Sequence, residues 1–71
     1  MDYIISASEL YQKAKEMLNR GMDYVSISFM EPDDSDPGDP LPAAIHFEGC
    51  RRSSPEVWVD FEEIDTIKVI K

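Results

Sequence analysis

The apolar residues of this 71-residue chain change their spacing once, at Gly21, and that change constrains the fold more than any other feature. Before Gly21 they recur every three or four residues, which is typical of a helix with one apolar side. After Gly21 they alternate with polar residues, which is typical of strands with one covered face. A chain of this length has room for a single core. The sequence therefore predicts one α+β domain that spans residues 1–71.

Local signals place the helix at about residues 7–20. Ser6 and Glu9 have the spacing of a capping box at its start. Gly21 provides the left-handed residue that ends many helices, and Met22 is placed to complete a Schellman closure. One side of the helix is apolar and consists of Ala7, Leu10, Tyr11, Ala14, Met17 and Leu18.

The alternating residues predict strands at about residues 23–30, 43–49, 56–61 and 66–70. Residues 2–5 have the composition of a short additional edge strand. Because the connections are short, we expect an antiparallel sheet with the helix packed over one of its faces. In the expected core the helix packs on alternate strand residues, which are Val25, Ile27, Phe29, Ile45, Phe47, Val57, Val59 and Phe61.

The last two predicted strands are joined by residues 62–65, where Phe61, Ile64 and Ile67 are spaced by three. This spacing predicts a single helical turn. The end of the chain, a strand, a helical turn and a strand, resembles the ends of small Sm-like and SH3-like barrels. The predicted fold is one N-terminal helix packed on a curved antiparallel sheet of three to four strands. The alternative, which the resemblance implies, is a sheet that closes into a small SH3-like or Sm-like barrel.

Residues 31–42 form an acidic loop, with four prolines and five carboxylates, between the first two predicted strands. Proline has no N–H to donate, so this segment interrupts the sheet. Its spacing does not match a calcium-binding EF-hand, because the twelfth position counted from Asp34 is Ile45 instead of a glutamate. The sequence therefore predicts no dedicated metal site, and weak binding of divalent cations by this loop remains an alternative.

Charge selects the class of partner. The net charge is −8, and between Met22 and Asp65 twelve carboxylates face two arginines. A field of this sign repels nucleic acid and anionic membranes and attracts basic protein surfaces. The apolar runs are shorter than the ~20 residues that cross a bilayer. We expect a cytoplasmic protein that contacts neither nucleic acid nor membrane directly.

The residues that invite a catalytic interpretation are badly spaced. His46 and Cys50 are four residues apart on one predicted strand, roughly 13 Å at ~3.3 Å per residue, whereas a nucleophile and its base must be in hydrogen-bond contact. The chain has no glycine-rich phosphate loop. The sequence therefore predicts a protein that is not an enzyme and uses no cofactor.

The predicted function is that of a protein-binding or accessory domain. One alternative is an acidic mimic of nucleic acid that inhibits a basic nucleic-acid-binding protein, as anti-CRISPR proteins do. A homodimer through the sheet face opposite the helix is a further possibility, because one helix covers only one face. The candidate contact residues for a partner are Asp33, Asp34, Asp36, Asp39, Glu48, Trp58, Asp60, Glu62 and Glu63.

Overall fold

The computed structural model describes residues 1–33 and 35–70. Within these residues the elements are β1 (Asp2–Ile4), α1 (Ala7–Asn19), β2 (Tyr24–Met30), β3 (Ala44–Arg51), β4 (Ser54–Asp65) and β5 (Lys68–Ile70). Strands β2, β3 and β4 form an antiparallel sheet in that order, and β1 pairs with β5 in a second antiparallel sheet. The predicted α+β class is confirmed. Among the described residues, no helix has the length and apolarity that a bilayer crossing requires.

Both ends of α1 are closed as the sequence predicts. The Ser6 side chain accepts a hydrogen bond from the Glu9 amide at 3.2 Å. At the other end Gly21 has φ 84°, and the Met22 amide donates to the Met17 carbonyl at 3.0 Å. These contacts satisfy backbone groups that a helix end leaves without partners. Local chemistry therefore determines where the helix begins and ends.

The expectation of a helical turn near the end of the chain is wrong. Residues 62–65 continue β4 as a strand, and β5 pairs with β1. The chain turns between β4 and β5 at Thr66, whose amide and hydroxyl both donate to the Ala43 carbonyl, at 2.9 and 2.7 Å. The sheet stays open, and the described residues form no closed barrel.

The core is smaller than the sequence suggests. It lies between α1 and the strands β3 and β4, and its buried members are Met17, Met22, Ile45, Phe47, Phe61 and Ile64. The expectation that the whole helix stripe and all strand faces are covered is wrong. Exposed members of the expected core are Leu10, Tyr11, Leu18, Val25, Ile27, Phe29 and Val57.

The width of the helix explains the uncovered residues. A helix is ~10 Å across and neighbouring strands are ~4.8 Å apart, so one helix covers about two strands of three. Here Lys13 and Met17, one turn apart, are the buried residues of α1. The aliphatic part of Lys13 packs inside while its ammonium lies 3.4 Å from the Glu16 carboxylate. Strand β2 is left uncovered, and each of its residues is exposed.

Gly49 on β3 lies against two methionines, one at the end of α1 and one just after it. A Cβ atom at this position would lie 2.8 Å from Met22 Cγ and 2.9 Å from Met17 Cε. These separations are shorter than any ordinary contact between carbon atoms. A side chain at this position would therefore displace the two methionines.

We expect Gly49→Ala to lower the free energy of unfolding by ~1–3 kcal/mol, because the added methyl group displaces the helix or its methionines. Thermal unfolding followed by circular dichroism measures the change. Gly38→Ala is the matched control, because a Cβ atom there meets Asp36 Oδ1 at an ordinary 3.5 Å. Equal melting temperatures for the two variants would show that the helix does not depend on this close contact.

Candidate functional site

The outer face of the sheet, opposite α1, carries a cluster of one histidine and two carboxylates. Glu48 on β3 pairs directly with Asp60 on β4. His46 lies on the same face, because residues two apart on a strand point the same way. Its Nε2 atom is 3.4 Å from Glu48 Oε1 and 3.5 Å from Asp60 Oδ1. The strand register thus brings together two of the predicted contact residues, Glu48 and Asp60, and adds His46.

An irregularity in β4 extends this cluster. Ile45 pairs with Ile64 and Phe47 with Phe61, so β4 has one more residue than β3 between the two pairs. Such a bulge re-aims side chains locally. Beside it an open depression of about 490 Å³ is lined by His46, Phe61, Glu62, Glu63 and Asp65. The predicted residues Glu62 and Glu63 therefore lie next to the cluster. We call Glu48, Asp60, Glu62 and Glu63 the acidic face.

The arginines of the chain do not neutralise this face. The Arg20 guanidinium stacks 4.9 Å above the centre of the Phe61 ring, where the cation meets the negative side of the ring. Arg51 donates to the Arg20 carbonyl at 3.1 Å. Arg52 donates to the Tyr24 hydroxyl at 3.2 Å. Among the described residues, Lys13–Glu16 is the one pair that joins a lysine or arginine to a carboxylate within 4.0 Å.

The cluster of His46, Glu48 and Asp60 has donor atoms that a metal ion could use. One nitrogen and two carboxylate oxygens all lie within 4.8 Å of one another. Tetrahedral ligands at ~2.0–2.2 Å from Zn²⁺ are separated by ~3.3–3.5 Å, and the two distances from His46 Nε2 are of this size. The strand register between β3 and β4 brings this group together, and the sequence prediction of no dedicated metal site did not consider it.

The acidic loop is folded on itself instead of being extended. Asp33 and Leu41 exchange backbone hydrogen bonds of 3.0 and 2.7 Å, which close the loop. The Ser35 amide donates to Asp33 Oδ1 at 3.0 Å, and this hydrogen bond, followed by a second one from the Ser35 side chain, lowers the pKa of Asp33. Asp34 lies outside the described residues.

The remaining loop aspartates are also exposed. Asp36 Oδ1 accepts a hydrogen bond from the Gly38 amide at 3.0 Å, and the Asp39 amide donates to the Asp36 carbonyl at 3.0 Å. Asp33 and Asp36 thus use part of their acceptor capacity within the loop. The loop is connected to the sheet at Met30 and Ala44, so it lies at the opposite end of β3 from the turn before β4.

Sequence reasoning missed an apolar groove on the helix side. The groove lies between α1 and β2 and has a volume of about 270 Å³. Its walls include Leu10, Ala14 and Leu18 from the helix and Val25 and Ile27 from β2. One feature of the sequence indicates an apolar surface here, since β2 carries no charged residue in a strongly acidic chain. The alternating pattern instead predicts that Val25 and Ile27 belong to the core.

The structure places His46 and Cys50 apart along β3. Cys50 is buried at the end of β3, four residues from His46 on the same strand.

Comparisons of the chain with protein-family models, with curated proteins and with solved structures find no match. The functional interpretation therefore depends on the geometry and charge of the described residues.

Trp58 reports on the acidic face directly. It lies two residues before Asp60 on β4, on the same side of the strand, and is 45% exposed. We expect its fluorescence to be quenched more by Cs⁺ and less by iodide than that of N-acetyltryptophanamide, because carboxylates attract the cation. Added potassium chloride should reduce this preference.

Asp60→Asn should weaken the preference for Cs⁺. Asp39→Asn removes the same charge from the loop at the other end of the sheet and should leave the preference unchanged. Equal quenching of Trp58 by the two ions, after normalisation to the reference compound, would contradict a negative field at this face.

Proposed function

We propose that this chain is a non-catalytic protein-binding domain that engages a basic protein surface through the acidic face. The observation that carries the proposal is the lack of counter-charge. Glu48, Asp60, Glu62 and Glu63 lie close together on neighbouring strands, and in the described part of the chain no lysine or arginine is within 4.0 Å of them. Carboxylates in this state are available to cations supplied by a partner.

The acidic face supports the proposal better than the acidic loop does. Its carboxylates are held on paired strands, so little conformational entropy is lost in ordering them when a partner binds. The loop aspartates Asp33 and Asp36 already accept backbone hydrogen bonds. Trp58 beside the face adds an aromatic side chain of the kind enriched in protein interfaces.

Two variants that remove equal charge test the proposal. The face variant combines Glu48→Gln, Asp60→Asn and Glu62→Gln, and the loop variant combines Asp33→Asn, Asp36→Asn and Asp39→Asn. Each is used, beside the unaltered chain, to capture proteins from a native lysate in dilute buffer. We expect the unaltered chain and the loop variant to capture the same basic proteins, and the face variant to lose them.

Raising the ionic strength should release the captured proteins from the unaltered chain, because exposed charge pairs are screened by salt. Capture by the face variant equal to that of the unaltered chain would refute the proposal. If the loop variant alone lost binding, the loop and not the sheet would be the contact.

The hypothesis of nucleic-acid mimicry is a special case of this proposal. Carboxylates two residues apart on a strand are ~7 Å from each other, a spacing comparable to that of successive phosphates. Competition between double-stranded DNA and the chain for a captured protein distinguishes this case from a partner that does not bind nucleic acid.

Divalent metal binding by His46, Glu48 and Asp60 is a second candidate, favoured by the distances of 3.4 and 3.5 Å from His46 Nε2 to the two carboxylates. We expect addition of Zn²⁺ to shift the ring resonances of His46, the single histidine. Asp60→Asn should weaken this effect, because it replaces a charged ligand with a neutral one. Asp39→Asn, which removes the same charge from the acidic loop, is the control. Ring resonances that do not respond to Zn²⁺ would eliminate this candidate.

A further inference from the structure

We propose that the free edge of β2 pairs with the same edge of a second copy of this chain, which joins the two three-stranded sheets into one antiparallel sheet. The surface involved differs from the acidic face, so this inference is independent of the proposed function. Strand β2 pairs with β3 along one side only, and each of its residues is exposed. Other contacts reach its two ends, where the Tyr3 hydroxyl donates to the Met30 carbonyl at 3.4 Å and Arg52 donates to the Tyr24 hydroxyl at 3.2 Å. An unpaired strand edge offers backbone donors and acceptors to another strand.

The two edge strands of the sheet differ in the residues that protect an exposed edge. Natural proteins protect exposed edges with charges, prolines and bulges. Strand β4, the other edge, has all three: Pro55, two register irregularities and five carboxylates, at Glu56, Asp60, Glu62, Glu63 and Asp65. Strand β2 has no charge and no proline, and its pairing with β3 is regular from Tyr24 to Met30. Only the β2 edge is therefore open to another strand.

The sequence of β2 is nearly symmetric about Ile27. A two-fold axis at Ile27 places Val25 of one copy opposite Phe29 of the other. In the same register Ser26 faces Ser28 and Tyr24 faces Met30. Cross-strand pairs of these kinds, apolar with apolar and hydroxyl with hydroxyl, stabilise antiparallel sheets. A strand that matches its own reverse is suited to a partner identical to itself.

The chain exposes enough surface for a second copy. A compact monomer of 8.1 kDa exposes about 4,500 Å², whereas this chain exposes 5313 Å², and its radius of gyration is 13.8 Å where about 11 Å is typical of 71 residues. The acidic loop and β2 are both exposed along their described lengths and share this excess. An interface of standard size buries about 800 Å² of each partner.

The same pairing joins the apolar grooves of the two copies. A two-fold axis perpendicular to the sheet leaves the helices of both copies on the same side of it. The groove walls formed by Leu10, Ala14 and Leu18 then face each other across the paired β2 strands, which form the floor of one continuous apolar groove.

Charge sets the conditions under which the pair forms. Each copy has a net charge of −8, and the register about Ile27 places Asp23 of one copy opposite Glu31 of the other. Both residues are exposed, so salt screens their repulsion. The dimer should therefore strengthen as ionic strength rises, whereas binding of a basic partner by the acidic face weakens.

Sedimentation analysis of the purified chain, from low to high micromolar concentration, tests the inference. We expect a monomer–dimer equilibrium that shifts toward the dimer on adding sodium chloride. Ile27→Lys places two like charges opposite each other at the axis and should leave a folded monomer. Ile67→Lys makes the same change at an exposed isoleucine away from β2 and should remain dimeric.

A cross-linking variant tests the register of the paired strands. It also gives an independent test if Ile27→Lys fails to fold. Residues directly opposite in an antiparallel pair have Cα atoms ~4.5–5.5 Å apart, within the range of a disulfide. Ile27→Cys should therefore form a covalent dimer when diamide oxidises the two thiols, whereas the unaltered chain, with Cys50 buried, and Ile67→Cys should not.

A chain that stays monomeric at all these concentrations and salt conditions would overturn the inference, as would a dimer that Ile27→Lys leaves intact. A heterologous protein that occupies the groove of a monomeric chain would overturn it as well. Capture of basic proteins by the acidic face is unaffected by Ile27→Lys, so failure of one proposal is distinguishable from failure of the other.

Discussion

The packing of two methionines in the space beside Gly49 constrains the position of the helix on the sheet. Met17 ends the buried side of α1, and Met22 follows the turn that leads into β2. Both pack where a side chain on Gly49 would stand. This contact holds the end of the helix on β3, next to β4. Because the helix is only about two strands wide, β2 receives no cover.

The same helix position separates charge from apolar surface. Arg20, near the end of α1, stacks on Phe61, and Arg51 donates to the Arg20 carbonyl. These cations stabilise the contact between helix and sheet, and they are consequently not paired with carboxylates. The carboxylates of the acidic face thus have no lysine or arginine within 4.0 Å, whereas the groove beside β2 is lined mostly by apolar residues, together with Lys13 and Asp23. Two surfaces of opposite character are available for two different kinds of contact.

Part of the candidate site was predictable from the period of two in the strands. That period places Glu48 and His46 on one face of β3 and Asp60 on the same face of β4, and the structure has them there. The proximity of the three groups was not predictable, because it depends on the register between β3 and β4. The bulge that brings Glu62 and Glu63 beside His46 likewise comes from packing, since Ile64 must reach the core.

The sequence by itself determined the elements that depend on neighbouring residues. Ser6 and Gly21 set the ends of α1, and the alternation of side chains set the strands β2 and β3. Only the tertiary structure decided which apolar residues are covered, because one helix and three strands with similar apolar faces can pack in more than one way. The fit of α1 to Gly49 selects the arrangement, buries Met17 and leaves Ile27 exposed. Coverage of a face is a property of the whole packed layer and not of any one segment.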